Sequence, residues 1–228
     1  MVTFGTLDTI IDDILLELRN NNIAESEQFS RIQIEQWILQ YRAVLIKQDI
    51  DKGRDINPAY IQDIENIELQ IVDYTIDSVH GSSDKILVTK NQMPKTIDFH
   101  FRSGLTYVGD SAGNEIQLMS ERRSSVQKFR RYTFYDYSAF VKGQKIYVNG
   151  PGDLRTINVR GIFENPASVA GFDVTKDTYP VPMNMLPVIK ELIFTKEIKL
   201  QMPSDVVNDS DDDIQNSQRI DRRYRENR

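Results

Sequence analysis

Lys142-Gly143-Gln144-Lys145-Ile146-Tyr147-Val148-Asn149-Gly150-Pro151-Gly152-Asp153 is the stretch whose reading decides the fold. A short strand-like run, Lys145 to Val148, stands between a Lys142-Gly143 turn and a second turn over Asn149 to Asp153. That punctuation belongs to antiparallel hairpins rather than helices. Outward from it the pattern repeats. Arg155 to Phe163 reads as the next strand and Tyr132 to Tyr137 as the previous one. Leu105 to Val108 is expected to pair with Glu115 to Met119 across the turn Gly109-Asp110-Ser111-Ala112-Gly113-Asn114. Ile86 to Thr89 and Ile97 to Phe101 read as strands, and Ile67, Leu69 and Ile71 alternate as a strand would. Ser120 to Lys128, heavily charged and poor in β-branched residues, is expected to be a short helix or extended turn. Ile67 to about Phe163 therefore predicts a meander or small barrel.

Helical signals lie on both sides of this module. Leu7, Ile10, Ile11, Ile14, Leu15 and Leu18 recur at spacings of three and four, opposite Asp8, Asp12, Asp13 and Glu17, with Thr6 as a cap. Ser30 and Gln33 form a capping box, and Phe29 and Ile34 are placed for a hydrophobic staple. The helix they start carries Ile34, Trp37, Ile38, Tyr41, Val44 and Leu45 to about Asp49, with Ile32, Leu39 and Ile46 outside that stripe. Asn57 and Pro58 predict a short helix over Ala59 to Ile64, with the module edge near Asn66. Pro187 opens a closing helix through Val188, Ile189, Leu192, Ile193 and Ile198 to about Gln201, which Pro203 ends.

The economical arrangement is an α+β fold: a discontinuous helical bundle with an inserted antiparallel β module and an extended C-terminal arm. Its expected parts are a helical first part at 1–66, the β insertion at 67–179, the closing helix at 180–203 and the arm at 204–228. The arm holds seven acidic and five basic residues, with Asp209, Asp211, Asp212 and Asp213 preceding Arg219, Arg222, Arg223, Arg225 and Arg228. So few apolar groups cannot offset the entropy of ordering without a partner.

Composition excludes several functions. The 228 residues include no Cys, which removes thiol nucleophiles, disulfides and zinc–thiolate clusters. No apolar run is long enough to span a membrane, and the first ten residues lack the pattern of a secretory signal, so the chain is expected to stay in a cytosol. A net charge of −6 opposes general polyanion binding. The two histidines, His80 and His100, read as structural, and no nucleophile elbow, paired-histidine motif or phosphate loop is present. Asp209, Asp211 and Asp213 match the first ligand spacings of a calcium loop, but Ile214 stands where the loop needs Gly and Ile220 where it needs Glu. No catalytic residue, cofactor or metal is expected, and the chain reads as a non-enzyme.

Two segments remain as binding candidates. Arg122, Arg123, Lys128, Arg130 and Arg131, followed by Tyr132, Phe134, Tyr135 and Tyr137, have the mix that single-strand nucleic-acid surfaces use. A module of that kind centred on residues 122–137 is the alternative reading. The preferred reading makes the aromatics a half-buried strand and the arginines a protein contact, because the acidic chain opposes nonspecific binding. The second candidate is the arm, where Ile214, Ile220 and Tyr224 are apolar anchors among Arg219, Arg222, Arg223 and Arg225.

The order of these parts resembles the head–tail adaptor, or connector ring, proteins of short-tailed bacteriophages, most of all those of crAss-like phages. The resemblance is carried by the opening helices, by Tyr132-Thr133-Phe134-Tyr135 and Lys145-Ile146-Tyr147-Val148-Asn149-Gly150, by Tyr179-Pro180-Val181-Pro182, and by Met202-Pro203-Ser204-Asp205-Val206-Val207-Asn208-Asp209. It implies a structural virion protein at the head–tail junction, made in the cytoplasm of a bacterial host. The family forms a homo-oligomeric ring, commonly of twelve copies, beneath the portal protein and above further tail or ring proteins. Double-stranded DNA passes through without sequence-specific contacts, and no membrane is involved. On this resemblance Arg122, Arg123, Arg130, Arg131 and the anchors of the arm serve contacts with the portal or a neighbour.

Overall fold

The computed structural model describes residues 5–18, 29–74, 84–100, 103–127 and 136–198. Thr6 caps helix α1 (Leu7–Leu18), its Oγ1 accepting the Thr9 N–H at 3.3 Å. Leu7, Ile10, Ile11, Ile14 and Leu15 are buried, and Asp12, Asp13 and Glu17 face out, as the period requires. Helix α2 (Arg31–Asp51) begins at Ser30, whose side chain accepts the Gln33 N–H at 3.2 Å. The Phe29 ring packs on Trp37 at 5.7 Å between centroids. Arg31 ties the two helices together through ion pairs to Asp8 and Asp12.

The buried seam of α2 differs from the expected stripe. It runs Ile34, Ile38, Arg42, Ile46 and Ile50, every fourth residue, with Trp37 beside it, whereas Val44 is 45% exposed. The two share Ile34, Trp37 and Ile38; a seam read by hydropathy then steps around Arg42 and drifts toward Tyr41, Val44 and Leu45. In the fold Arg42 is wholly buried and keeps the four-residue ridge continuous.

Asn57 caps a single 3₁₀ turn, Pro58–Tyr60, and strand β1 (Gln62–Tyr74) follows at once. The helix expected over Ala59 to Ile64 is therefore a turn plus the start of a strand. The cap and the proline are real but serve one turn only, and Asn66 lies further along, inside the strand. It has φ 56°, donates its N–H to Asn158 Oδ1 at 2.8 Å, and marks a bulge between Ile64 and Ile67. The extra residue lets Ile64 and Ile67 both pack against the core at a helical spacing of three inside a strand.

The remaining elements are β2 (Asp84–Thr89), β3 (Leu105–Asp110), β4 (Gln117–Leu118), α3 (Glu121–Gln127), β5 (Ser138–Lys142), β6 (Lys145–Asn149) and β7 (Thr156–Gly161). The sheet order is β3-β7-β1-β2-β6-β5-β4. Every pairing is antiparallel except β4 with β5, so the module is mixed rather than purely antiparallel. Gly143 and Gln144, both with positive φ, close the β5–β6 hairpin in a two-residue turn whose twist suits the strands.

Two strand expectations are corrected. Leu105 to Val108 pairs chiefly with β7, and Glu115 to Met119 follows it back only through a Gly109–Glu115 bridge and the Ile116 N–H to Val108 carbonyl bond of 2.7 Å. The chain then departs to join β5. Ile97 to Phe101 is not a strand over its described residues: Ile97 is buried and donates its N–H to Ile162, with one bridge from Thr96 to Phe163. Most of the expected Tyr132 to Tyr137 strand lies outside the described residues.

The Gly109–Glu115 bridge links the β3 edge to the segment leading into the β4 edge, so the seven-stranded sheet is nearly closed. Ile64, Leu87, Val108, Ile116, Ala139, Ile146, Val148, Ile157, Val159 and Phe163 belong to one hydrophobic core cluster. Among the described residues, Pro187–Ile198 belong to a second unit. Helix α4 (Leu186–Leu192) gives way to a π turn over Ile193–Ile198 instead of continuing as α-helix. Thr195 donates its hydroxyl to the Glu191 carbonyl at 2.7 Å, a back-bond that loosens a helix.

Candidate functional site

Helix α3 is too short to be stable alone and is held by contacts at two of its residues. Glu121, in its first turn, accepts the Tyr74 O–H at 2.6 Å and Lys142 Nζ at 3.0 Å. Lys142 Nζ also donates to the Tyr74 hydroxyl at 2.7 Å and lies 5.2 Å from that ring's centroid. The Tyr74 ring belongs to a patch with Phe140 and Tyr147, at 6.0 and 5.1 Å, in which Phe140 and Tyr147 stack at 5.1 Å. Three residues on, buried Ser124 hydrogen-bonds Ser138 at 2.8 Å and accepts from Asn149 Nδ2 at 2.7 Å.

The electrostatics of the first contact suit a latch. Hydrogen bonds from Tyr74 and Lys142 hold the Glu121 carboxyl below its ordinary range, and the bonds to Tyr74 and Glu121 hold Lys142 above its own. Desolvation, helped by the bond to Glu121, pushes the Tyr74 hydroxyl up. Acid–base catalysis needs shifts of the opposite sign, toward neutrality. This set keeps its charges.

With Glu121 and Ser124 turned inward, Arg122, Arg123 and Val126 are exposed, Val126 by 54%. Arg122 and Arg123 are thus brought to one displayed helix. Arg130 and Arg131 lie outside the described residues, as do Ile214, Arg219, Ile220, Arg222, Arg223, Tyr224 and Arg225, the acidic run at Asp209 to Asp213, and His80. His100 is exposed, and its backbone N–H donates to Asp51 Oδ1 at 3.1 Å. Tyr137 is half-buried at the end of the expected strand. Its ring covers Gly150, where a Cβ would sit 2.2 Å away, and its hydroxyl bonds Asp153. Desolvation and that bond push its pKa up to about 12.

One constellation escaped the sequence reading. Arg42 donates Nε to the Pro180 carbonyl at 3.1 Å and Nη1 to the Phe163 carbonyl at 2.8 Å, with its guanidinium 5.7 Å from the centre of the Tyr179 ring. Burial lowers the Arg42 pKa and raises that of Tyr179. The guanidinium joins α2 to the end of the sheet module and to the Tyr179-Pro180 segment. Its only trace in the sequence is a basic residue in step with Ile34, Ile38, Ile46 and Ile50.

Among the described residues no three His, Asp or Glu side chains gather as a metal site would need, and no helix is long and apolar enough to cross a membrane. No curated protein matches the chain. A family model described as phage tail ring protein 2 matches residues 9–214. The match takes in α1 from its third residue, α2, the whole sheet, α3 and α4. On that extent the chain belongs to the phage tail ring protein 2 family of crAss-like phages, structural virion proteins that assemble as rings in the tail.

Proposed function

We propose that this ring is a head–tail connector, that its subunits bind the portal above them, and that it continues the DNA channel toward the tail. The family match over residues 9–214 carries the reading. Three features support it. Ile71 at 59%, Val141 at 48% and Val126 at 54% are apolar side chains left exposed, which a neighbouring subunit would cover. Arg122 and Arg123 stand beside Val126 on a helix latched in place, as a contact with a neighbour or the portal requires. A net charge of −6 suits a channel wall that lets DNA slide, because DNA affinity grows with the number of phosphates that Lys and Arg neutralise.

The test is the mass of the purified particle, alone and mixed with a portal ring. A closed ring, with a count near the twelve expected from the resemblance, and a heavier complex with portal are the expected results. A monomer in both conditions would overturn the connector reading. Replacing Arg122, Arg123, Arg130 and Arg131 together with Gln should weaken assembly and leave oligonucleotide binding negligible throughout. Tight, salt-sensitive oligonucleotide binding by the parent chain that disappears in this variant would establish the nucleic-acid alternative instead.

A further inference from the structure

A groove of about 630 Å³ opens where β1 begins, between the Pro58–Tyr60 turn and the segment around Phe172 and Tyr179. Its lining is acidic: it includes Asp63, Glu65 and Asp177 but no Lys or Arg. Asp63 is shared with Arg160 at 3.1 Å, which leaves Glu65 and Asp177 to set the sign. Two of the lining residues each have a fully buried polar atom with no partner among the described residues. Gln62 is 9% exposed; its Nε2 donates to the Pro166 carbonyl at 3.3 Å, and its Oε1 has no donor. Tyr179, at 2% exposure, has an unpartnered hydroxyl. Both atoms are sealed from solvent, so the charge and the apolar wall of the groove are what an occupant meets. Half-buried Ile61 and Phe172 add apolar wall.

We propose that this groove receives the C-terminal end, residues 219–228, of a neighbouring copy in the ring. The inference rests on the ring reading, since it needs a neighbour. Residues 219–228 carry five arginines against Asp221 and Glu226, a net charge of +3 opposite an acidic groove. Ile220 and Tyr224 are the apolar members of that segment, matching the Ile61 and Phe172 wall. Guanidinium groups bind Glu65 and Asp177 as charge-assisted donors. Acid-rich residues 205–213 give the rest of the arm the sign that the groove repels, so the arginine end is the part that docks.

The absence of Cys in the chain makes a clean test. Full-length Ala170→Cys chains, with the new thiol on the exposed groove lining, are mixed with full-length Glu226→Cys chains and treated with a short bismaleimide. Lys47→Cys, exposed on α2, is the control in place of Ala170→Cys. The expected result is a cross-linked pair from the groove position and little from the control. Adding Glu65→Lys to the groove chain should remove most of that product, and adding Arg222→Glu with Arg223→Glu to the arm chain should bring it back. Restoration excludes misfolding of the Glu65→Lys variant. Equal cross-linking from both positions would overturn the proposal, as would a double-Cys chain that links only within itself. Particle mass is measured on the same samples. A ring without the cross-link overturns the docking alone, whereas a monomer overturns the ring reading and the docking with it.

Discussion

Arg42 shows how one residue settles the packing of three segments. Its replacement by Ala leaves the Phe163 and Pro180 carbonyls without their donor in a dry site, at about 1–3 kcal/mol each. Arg42→Ala should therefore lower the melting midpoint by roughly 10 °C in a chain of this size, measured by calorimetry. An unchanged midpoint would mean that water reaches both carbonyls. Trp37, buried at 7% exposure as its place in the seam predicts, should cost about 3–5 kcal/mol as Trp37→Ala. Gly150 is constrained by space rather than backbone angle, since a Cβ there meets the Tyr137 ring at 2.2 Å. Gly150→Ala should destabilise by about 1–3 kcal/mol in the parent chain and by much less in a Tyr137→Ala background. Additive effects in the double variant would show that the ring is not what excludes the methyl group.

At the scale of elements, α3 matters because it is displayed and yet held. The Glu121 carboxyl titrates below its ordinary value in the folded chain, so its contribution is full above about pH 4.3, the unfolded value, and is lost as pH falls through the lower folded value. Hydrogen exchange of the Ser124 amide, bonded to the Ser120 carbonyl at 2.9 Å, should show constant protection from neutrality to about pH 5 and a decline below it. Glu121→Gln should reduce protection at neutral pH and flatten the acid dependence. A variant that retained the parent's acid profile would place the titrating group elsewhere. The existence of α3 was legible from charge and propensity over Ser120 to Lys128. Its anchors were not, because Tyr74, Ser138, Lys142 and Asn149 come from three strands distant in sequence.

For the whole molecule, the arm is the part whose removal should separate folding from assembly. Truncation after Pro203 is expected to leave the melting transition nearly unchanged while reducing particle mass or portal capture, and raised salt should reproduce part of that loss. Full assembly at ordinary salt by the truncated chain would make residues 204–228 dispensable. By itself the sequence determined whatever depends on neighbours along the chain. The caps at Thr6, Ser30 and Asn57, the bounds of α1, the hairpin at Gly143 and the turn-rich middle were readable because caps, periods and tight turns are local. Only the tertiary structure decided the burial of Arg42, the bulge at Asn66, the β7 partnership of β3 and the parallel turn of β4 onto β5. Each depends on a bond across a large sequence separation, such as Arg42 to Pro180 or Asn66 to Asn158, whose donors and acceptors look alike in sequence until the sheet curls and brings one pair together.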